Sequence, residues 1–185
     1  MSRLVLASAS PRRRELMALA GFDFEVITAD VNEVLDASLT PCELVMSLAF
    51  QKASAVANAN TDATVIGADT VVVLDGKVLG KPHSSEDAKA MLSSLSGNTH
   101  EVYTGVCLIK GDKVHKFYEC TKVTFWPLEQ ELIEAYVASG DCNDKAGSYG
   151  IQGNGCVLVK GIEGDYFNVV GFPISRFSRE IKAFS

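Results

Sequence analysis

The spacing of apolar positions changes repeatedly along this chain, and each change marks the start or end of an element. A short apolar run at residues 4–7 predicts a buried strand. Ser10-Pro11-Arg12-Arg13-Arg14 then reads as an N-cap, a proline at the first helical position and a helix that ends at Gly21. Residues 24–28 predict a second strand. Thr40-Pro41-Cys42-Glu43 is a capping box that opens a long helix, with Leu44, Val45, Leu48, Ala49, Ala53 and Val56 on its apolar side. The stretch 64–74, rich in Val and Ile, is the most strand-like of all and contains Gly67-Ala68-Asp69-Thr70. Asp75-Gly76 behind it predicts a hairpin turn.

Further along, residues 84–95 combine an N-cap, acidic residues in the first turn and a stop at Gly97, which predicts a helix. Strands are expected near 101–109 and 114–125 around Gly111-Asp112, then a helix at 129–139 closed by Gly140. A glycine-rich loop, residues 147–155, leads into an expected strand at 156–160, and Pro173 begins a C-terminal helix. The alternation favours an α/β (mixed α+β) fold, a mixed sheet with helices on its faces. No repeat, low-complexity tract or linker divides the chain, so residues 1–185 are expected to form a single domain.

Composition narrows the function classes. With 47% hydrophobic and 22% charged residues in 185, the chain has the balance of a globular protein with a sizeable core. No apolar run approaches the roughly 18 to 20 residues that span a bilayer. Near the start the positive charge follows the apolar run instead of preceding it, so a secretory leader is not expected. The five cysteines are widely spaced without a CxxC, and are expected to be reduced thiols, mostly core filler, in a cytoplasmic protein. The three histidines, His83, His100 and His115, form no metal-binding spacing and read as surface or loop residues. Seventeen Lys+Arg against 23 Asp+Glu give a net charge of -6, which argues against broad binding to nucleic acid or an anionic membrane. A polyanionic ligand must therefore meet a local group of cations.

Four places could supply chemistry. At residues 8–14, Ser8 and Ser10 let the backbone approach a ligand, a helix N-terminus supplies N–H donors and the arginines add permanent charge, a combination suited to phosphate. The alternative is an exposed, charged helix start, although cations there oppose the helix dipole. Asp69 places a carboxylate in a run that otherwise belongs in the core; it must be paired, hydrogen-bonded, metal-bound or turned to a cleft. Lys81 in Gly80-Lys81-Pro82 follows the hairpin, which returns it toward the end where Asp69 and Thr70 lie, the alternative being an ordinary surface lysine, while Lys52, on the exposed or boundary face of its helix, is uninformative alone. In Tyr149-Gly150-Ile151-Gln152-Gly153, Gln152 offers a donor and an acceptor to an amide-like edge; the alternative is a flexible turn. Neither a P-loop nor a dinucleotide fingerprint is present.

Together, LASASPRRRELM, Glu33, VIGADTVV, the GKP after its hairpin and DKAGSYGIQG resemble the Maf family of nucleoside triphosphate pyrophosphatases over nearly the whole chain. The resemblance implies a Maf/Ham1-like (ITPase-like) fold, an elongated mixed sheet flanked by helices with a central cleft between two lobes, and often a homodimer. It implies cleavage of a nucleoside triphosphate to the monophosphate and pyrophosphate with a divalent cation, Mg2+ or Mn2+. It places the proton acceptor on Asp69, triphosphate binding on Arg13 and Lys81, further cleft positions on Glu33 and Lys52, and metal binding on Glu33 and Asp69. Asp69 could serve principally as base or as metal ligand. Arg12, Thr70 and Gln152 match the branch acting on dTTP and UTP, and one Gln side chain can satisfy both O4 and N3–H of uracil or thymine, whereas cytosine reverses that pattern. On this reading Arg12, Arg13, Lys52 and Lys81 form a compact positive cleft. The alternatives are a nucleotide-sensing regulator of cell division with weak turnover, suggested by the family name's link to septum formation, and a Ham1-like purine (ITP) pyrophosphatase.

Overall fold

The computed structural model describes residues 3–28 and 30–184. Its elements run in the order β1 (Leu4–Leu6), α1 (Pro11–Leu19), β2 (Glu25–Val26), α2 (Pro41–Ala57), β3 (Thr64–Leu74), β4 (Lys77–Leu79), α3 (Ser85–Leu95), β5 (Thr99–Lys110), β6 (Lys113–Phe125), α4 (Gln130–Ala138), β7 (Val159–Glu163), α5 (Tyr166–Val170) and α6 (Ile174–Phe184). The strands form a seven-stranded mixed sheet in the order β2-β1-β3-β5-β6-β7, with β4 paired to β3 outside that path. This is the mixed α/β architecture that the alternation of elements predicts. The chain divides into two compact units, one of Met1–Thr70, Thr104–Glu119 and Gly171–Ser185, the other of Val71–Tyr103 and Cys120–Val170. Among the described residues, no helix is long and apolar enough to cross a membrane.

In the first unit β1 runs parallel to both β2 and β3, with Val5 opposite Glu25 on one side and Val65 on the other. The order 2-1-3 means that the chain crosses from one flank of β1 to the other, a switch point of the kind where α/β sheets bind ligands beyond their carboxyl strand ends. Beneath it lie Val5, Ala49, Ala53, Val56, Val65 and Cys107. The six residues that helical spacing assigns to the apolar side of α2 are its buried ones. The Thr40 N–H donates to the Glu43 carboxylate at 2.9 Å, as the capping box predicts. Two glycines let α2 lie close to the sheet: a Cβ on Gly67 would stand 2.2 Å from the Ala49 carbonyl oxygen, and one on Gly105 would stand 2.4 Å from that of Val45.

The second unit is built on Leu92, Leu95, Val123, Phe125, Tyr136 and Leu158 among others. Asp75 and Gly76 turn β3 into β4 with φ of 50° and 76°, the positive pair of a two-residue hairpin, and Leu74 pairs with Lys77. Ser84 caps α3 by accepting from the Asp87 N–H at 3.1 Å.

Several expectations are corrected. The strand expected at 24–28 reduces to Glu25–Val26, an exposed edge pair with β1 as its neighbour in the sheet. The strand expected at 156–160 begins later, at Val159, because Gly153–Val157 first makes a 3-10 turn. Ser10 stands at the N-cap of α1 but its side chain does not cap it. The short α5 goes unpredicted, since five residues carry too little of the helical period to register. Of the five free cysteines, Cys107 and Cys142 are buried, Cys42 and Cys120 are half-buried and Cys156 is exposed, so core filling describes two of them. His100 is not a surface residue: it is 1% exposed within β5.

Candidate active site

Beyond the carboxyl end of β1, the Ala7 N–H donates to the Ile66 carbonyl at 2.8 Å, and the chain leaves the sheet toward Pro11 at the start of α1. Ser8 is buried there, and its Oγ accepts from the Ser10 N–H at 3.3 Å. Arg13 projects from the first turn of α1 into the protein and is 9% exposed. Its Nη1 donates to Ser8 Oγ (3.1 Å) and to the Ala68 carbonyl (2.8 Å), its Nε to the Gly171 carbonyl (2.9 Å) and its Nη2 to Thr70 Oγ1 (3.2 Å). Burial lowers the Arg13 pKa, and the negative charge of Asp69 opposes that shift. A buried guanidinium stays charged here because carbonyl and hydroxyl oxygens replace its water. These bonds also explain a cation at a helix N-terminus that the dipole disfavours: Arg13 ties the β1 loop to β3 and to Gly171.

Strand alternation puts Gly67 and Asp69 on one face of β3 and Thr70 on the other. Over the first face lies α2, whose Ala49 and Ala53 crowd Gly67, so the neighbouring Lys52 reaches Asp69. Lys52 Nζ donates to Asp69 Oδ1 and pairs with Glu33 Oε1 at 3.1 Å. Asp69 and Lys52 are largely buried and Glu33 is the open end of the trio, with side chains 13%, 21% and 40% exposed respectively. Glu33 lies on a segment without regular structure, held by Gln51 of α2: the Val34 N–H donates to Gln51 Oε1 (2.9 Å) and Gln51 Nε2 donates to the Val34 carbonyl (3.1 Å). On the opposite face, Thr70 Oγ1 meets Thr104 Oγ1 at 2.9 Å.

The first unit thus joins Ser8, Arg13 and Thr70 by hydrogen bonds and Lys52, Asp69 and Glu33 by ion pairs, the two groups meeting β3 from opposite faces at Thr70 and Asp69, with Ser10 and Arg12 half-buried at the start of α1. Lys81 and Gln152 belong to the second unit, where both side chains are exposed: Lys81 just beyond β4, Gln152 on the glycine-rich loop. The cations are also less bare than a compact positive cleft implies, since Lys52 sits between two carboxylates and Arg13 among main-chain oxygens. Gln51, Thr104 and the Gly171 carbonyl escape sequence reasoning, because a single amide, hydroxyl or peptide oxygen has no motif until packing supplies its partner.

Among the described residues, no group of three or more His, Cys, Asp or Glu side chains forms a metal cage. Glu33 and Asp69 nevertheless converge on one ammonium. Two carboxylates suit a Mg2+-type ion, which commonly takes one or two carboxylates and fills its remaining positions with water and substrate phosphate.

The sequence matches the model of a family described as Maf-like protein over residues 3–184. It is 57% identical over 185 residues to a dTTP/UTP pyrophosphatase of Bacillus cereus, covering 100% of this chain and 97% of that protein, and equally so to one of Bacillus anthracis. In fold it is similar to a HAM1 protein from Coxiella burnetii, with a TM-score of 0.56 and 13% identity over 99% of this chain and 100% of that one. The chain belongs to the Maf-like protein family.

Proposed function

We propose that this protein hydrolyses dTTP and UTP to the nucleoside monophosphate and pyrophosphate. The observation that carries the reading is the Asp69–Lys52–Glu33 trio at a switch point of the sheet, in a chain 57% identical to proteins named for that activity. Residues 8–10 and the start of α1, with Arg12 and Arg13, bind phosphate oxygens through N–H groups, hydroxyls and guanidinium. Lys52 exchanges one carboxylate oxygen for a phosphate oxygen, and Lys81 adds a second ammonium to the chain of phosphates. Asp69 then accepts a proton from the attacking water, whose oxygen bonds to phosphorus as the bridge between the α and β phosphates breaks and pyrophosphate leaves. Glu33 and Asp69 would hold Mg2+ or Mn2+, which when bound neutralises charge on the phosphates. Gln152 reads N3–H and O4 of the pyrimidine, and Arg12 and Thr70 contribute to the same selectivity. We place the reaction in the cytoplasm, a reading supported by free thiols at all five cysteines.

The test is a nucleotide panel with Mg2+ or Mn2+, read by pyrophosphate release. Turnover should be fastest on dTTP and UTP and should fall by about 10²- to 10⁴-fold in Asp69→Asn. Tight binding without turnover would instead indicate a nucleotide sensor, and preference for ITP a purine pyrophosphatase.

A further inference from the structure

The glycine-rich loop that bears Gln152 is braced on three sides. Tyr149 is buried, with its hydroxyl 2.7 Å from His100 Nε2 and its ring edge-on to that of Phe125 at 4.7 Å between centroids. The Gly150 N–H donates at 3.1 Å to the hydroxyl of Tyr136, itself 4% exposed, which projects from α4. Ile151 is buried at the base of the loop. The loop also closes on itself: a Cβ on Gly155 would lie 1.8 Å from the Gly150 carbonyl oxygen. Between these anchors Gln152 stands exposed, with Gly153 behind it at φ of 62°.

A connecting turn needs no such bracing, whereas recognition of a base edge does. Two hydrogen bonds from one amide discriminate only if the amide is held to about 0.5 Å. A segment this rich in glycine would otherwise lose much freedom on binding. Fixing Tyr149, Gly150 and Ile151 beforehand removes most of that loss.

We infer that Tyr136 and His100 are positioning residues for base recognition, holding residues 149–155 so that the Gln152 amide meets the pyrimidine in one orientation. The inference rests on the reading of Gln152 given above. Neither residue touches substrate; they act through Gly150 and Tyr149.

The experiment measures kcat and KM for dTTP and CTP in Tyr136→Phe, which deletes only the hydroxyl that accepts the Gly150 N–H, and in Tyr149→Phe, which deletes the partner of His100. Gln152→Ala is the reference. The dTTP-to-CTP ratio of kcat/KM should fall about tenfold in each hydroxyl deletion, more through KM for dTTP than through kcat. Tyr136→Phe combined with Gln152→Ala should lose no more than Gln152→Ala alone, because both act on one contact. An unchanged ratio in the hydroxyl deletions, while Gln152→Ala collapses it, overturns the positioning role and leaves base reading by Gln152 standing. An unchanged ratio in Gln152→Ala overturns base reading, and the positioning role with it. If Tyr136→Phe does not fold, Tyr149→Phe decides by the same criterion.

Discussion

Burial withholds a proton from His100. The ring lies between Phe125 and Tyr149, with centroids 5.0 Å and 5.3 Å away, and desolvation brings its pKa down to about 4 from 6.5. The folded state therefore binds fewer protons than the unfolded chain between those two values, so stability is full above about pH 6.5 and is lost as pH falls toward 4. Between pH 7 and pH 5 the loss from this residue should be about 2 kcal/mol, measured by urea unfolding at each pH. In His100→Gln that part of the pH slope should disappear, whatever the variant's stability at pH 7; an unchanged slope would show that the imidazole is not the group responsible. Asp69 meets the same penalty by another route. Its carboxylate stays in a mostly apolar strand because Lys52 offers an ammonium at close range, where a lone buried charge would cost several kcal/mol.

At the scale of elements, the decisive contact is α2 against β3 and β5. The periodicity of α2 and its capping box are legible in sequence, because both are repeated within one or two helical turns. Its distance from the sheet is not, and depends on the missing side chains of Gly67 and Gly105. Gly67→Ala puts a methyl group against the Ala49 carbonyl and Ala53, so the helix must move outward, at a cost of about 1 to 3 kcal/mol. The same movement carries Lys52 away from Asp69. Denaturant unfolding and pyrophosphate release should therefore decline together in Gly67→Ala, and full turnover in a destabilised variant would separate helix docking from the site. β2 and β7 illustrate the converse limit: both end the sheet, and strands this exposed have little of the apolar pattern that reveals β3.

For the whole molecule, a net charge of -6 confines polyanion binding to places where cations are brought together. In the first unit those cations arrive with carboxylates beside them, Lys52 between Asp69 and Glu33. Such a set is close to electrically balanced, and a triphosphate would add several negative charges to it. Removal of divalent cations should therefore abolish turnover: EDTA should stop pyrophosphate release and excess Mg2+ restore it. Persistent release in EDTA would remove the metal-holding role from Glu33 and Asp69.

The alternation of elements, the residues of α2 that face the core, the β3–β4 turn and the acidic balance of the chain are all legible in the order of amino acids, since each follows from neighbours a few positions apart or from simple counting. The order of its motifs also sufficed to place it in a family. Which side chains meet is settled by the folding of distant segments onto one another. Lys52 finds Asp69 across 17 positions and Arg13 finds the Gly171 carbonyl across 158, and the imidazole of His100 disappears behind Tyr149 from 49 positions away. Local periodicity carries no record of such pairings, because they arise when helices close onto strands and bring polar groups out of water, where each must find a partner or lose its charge.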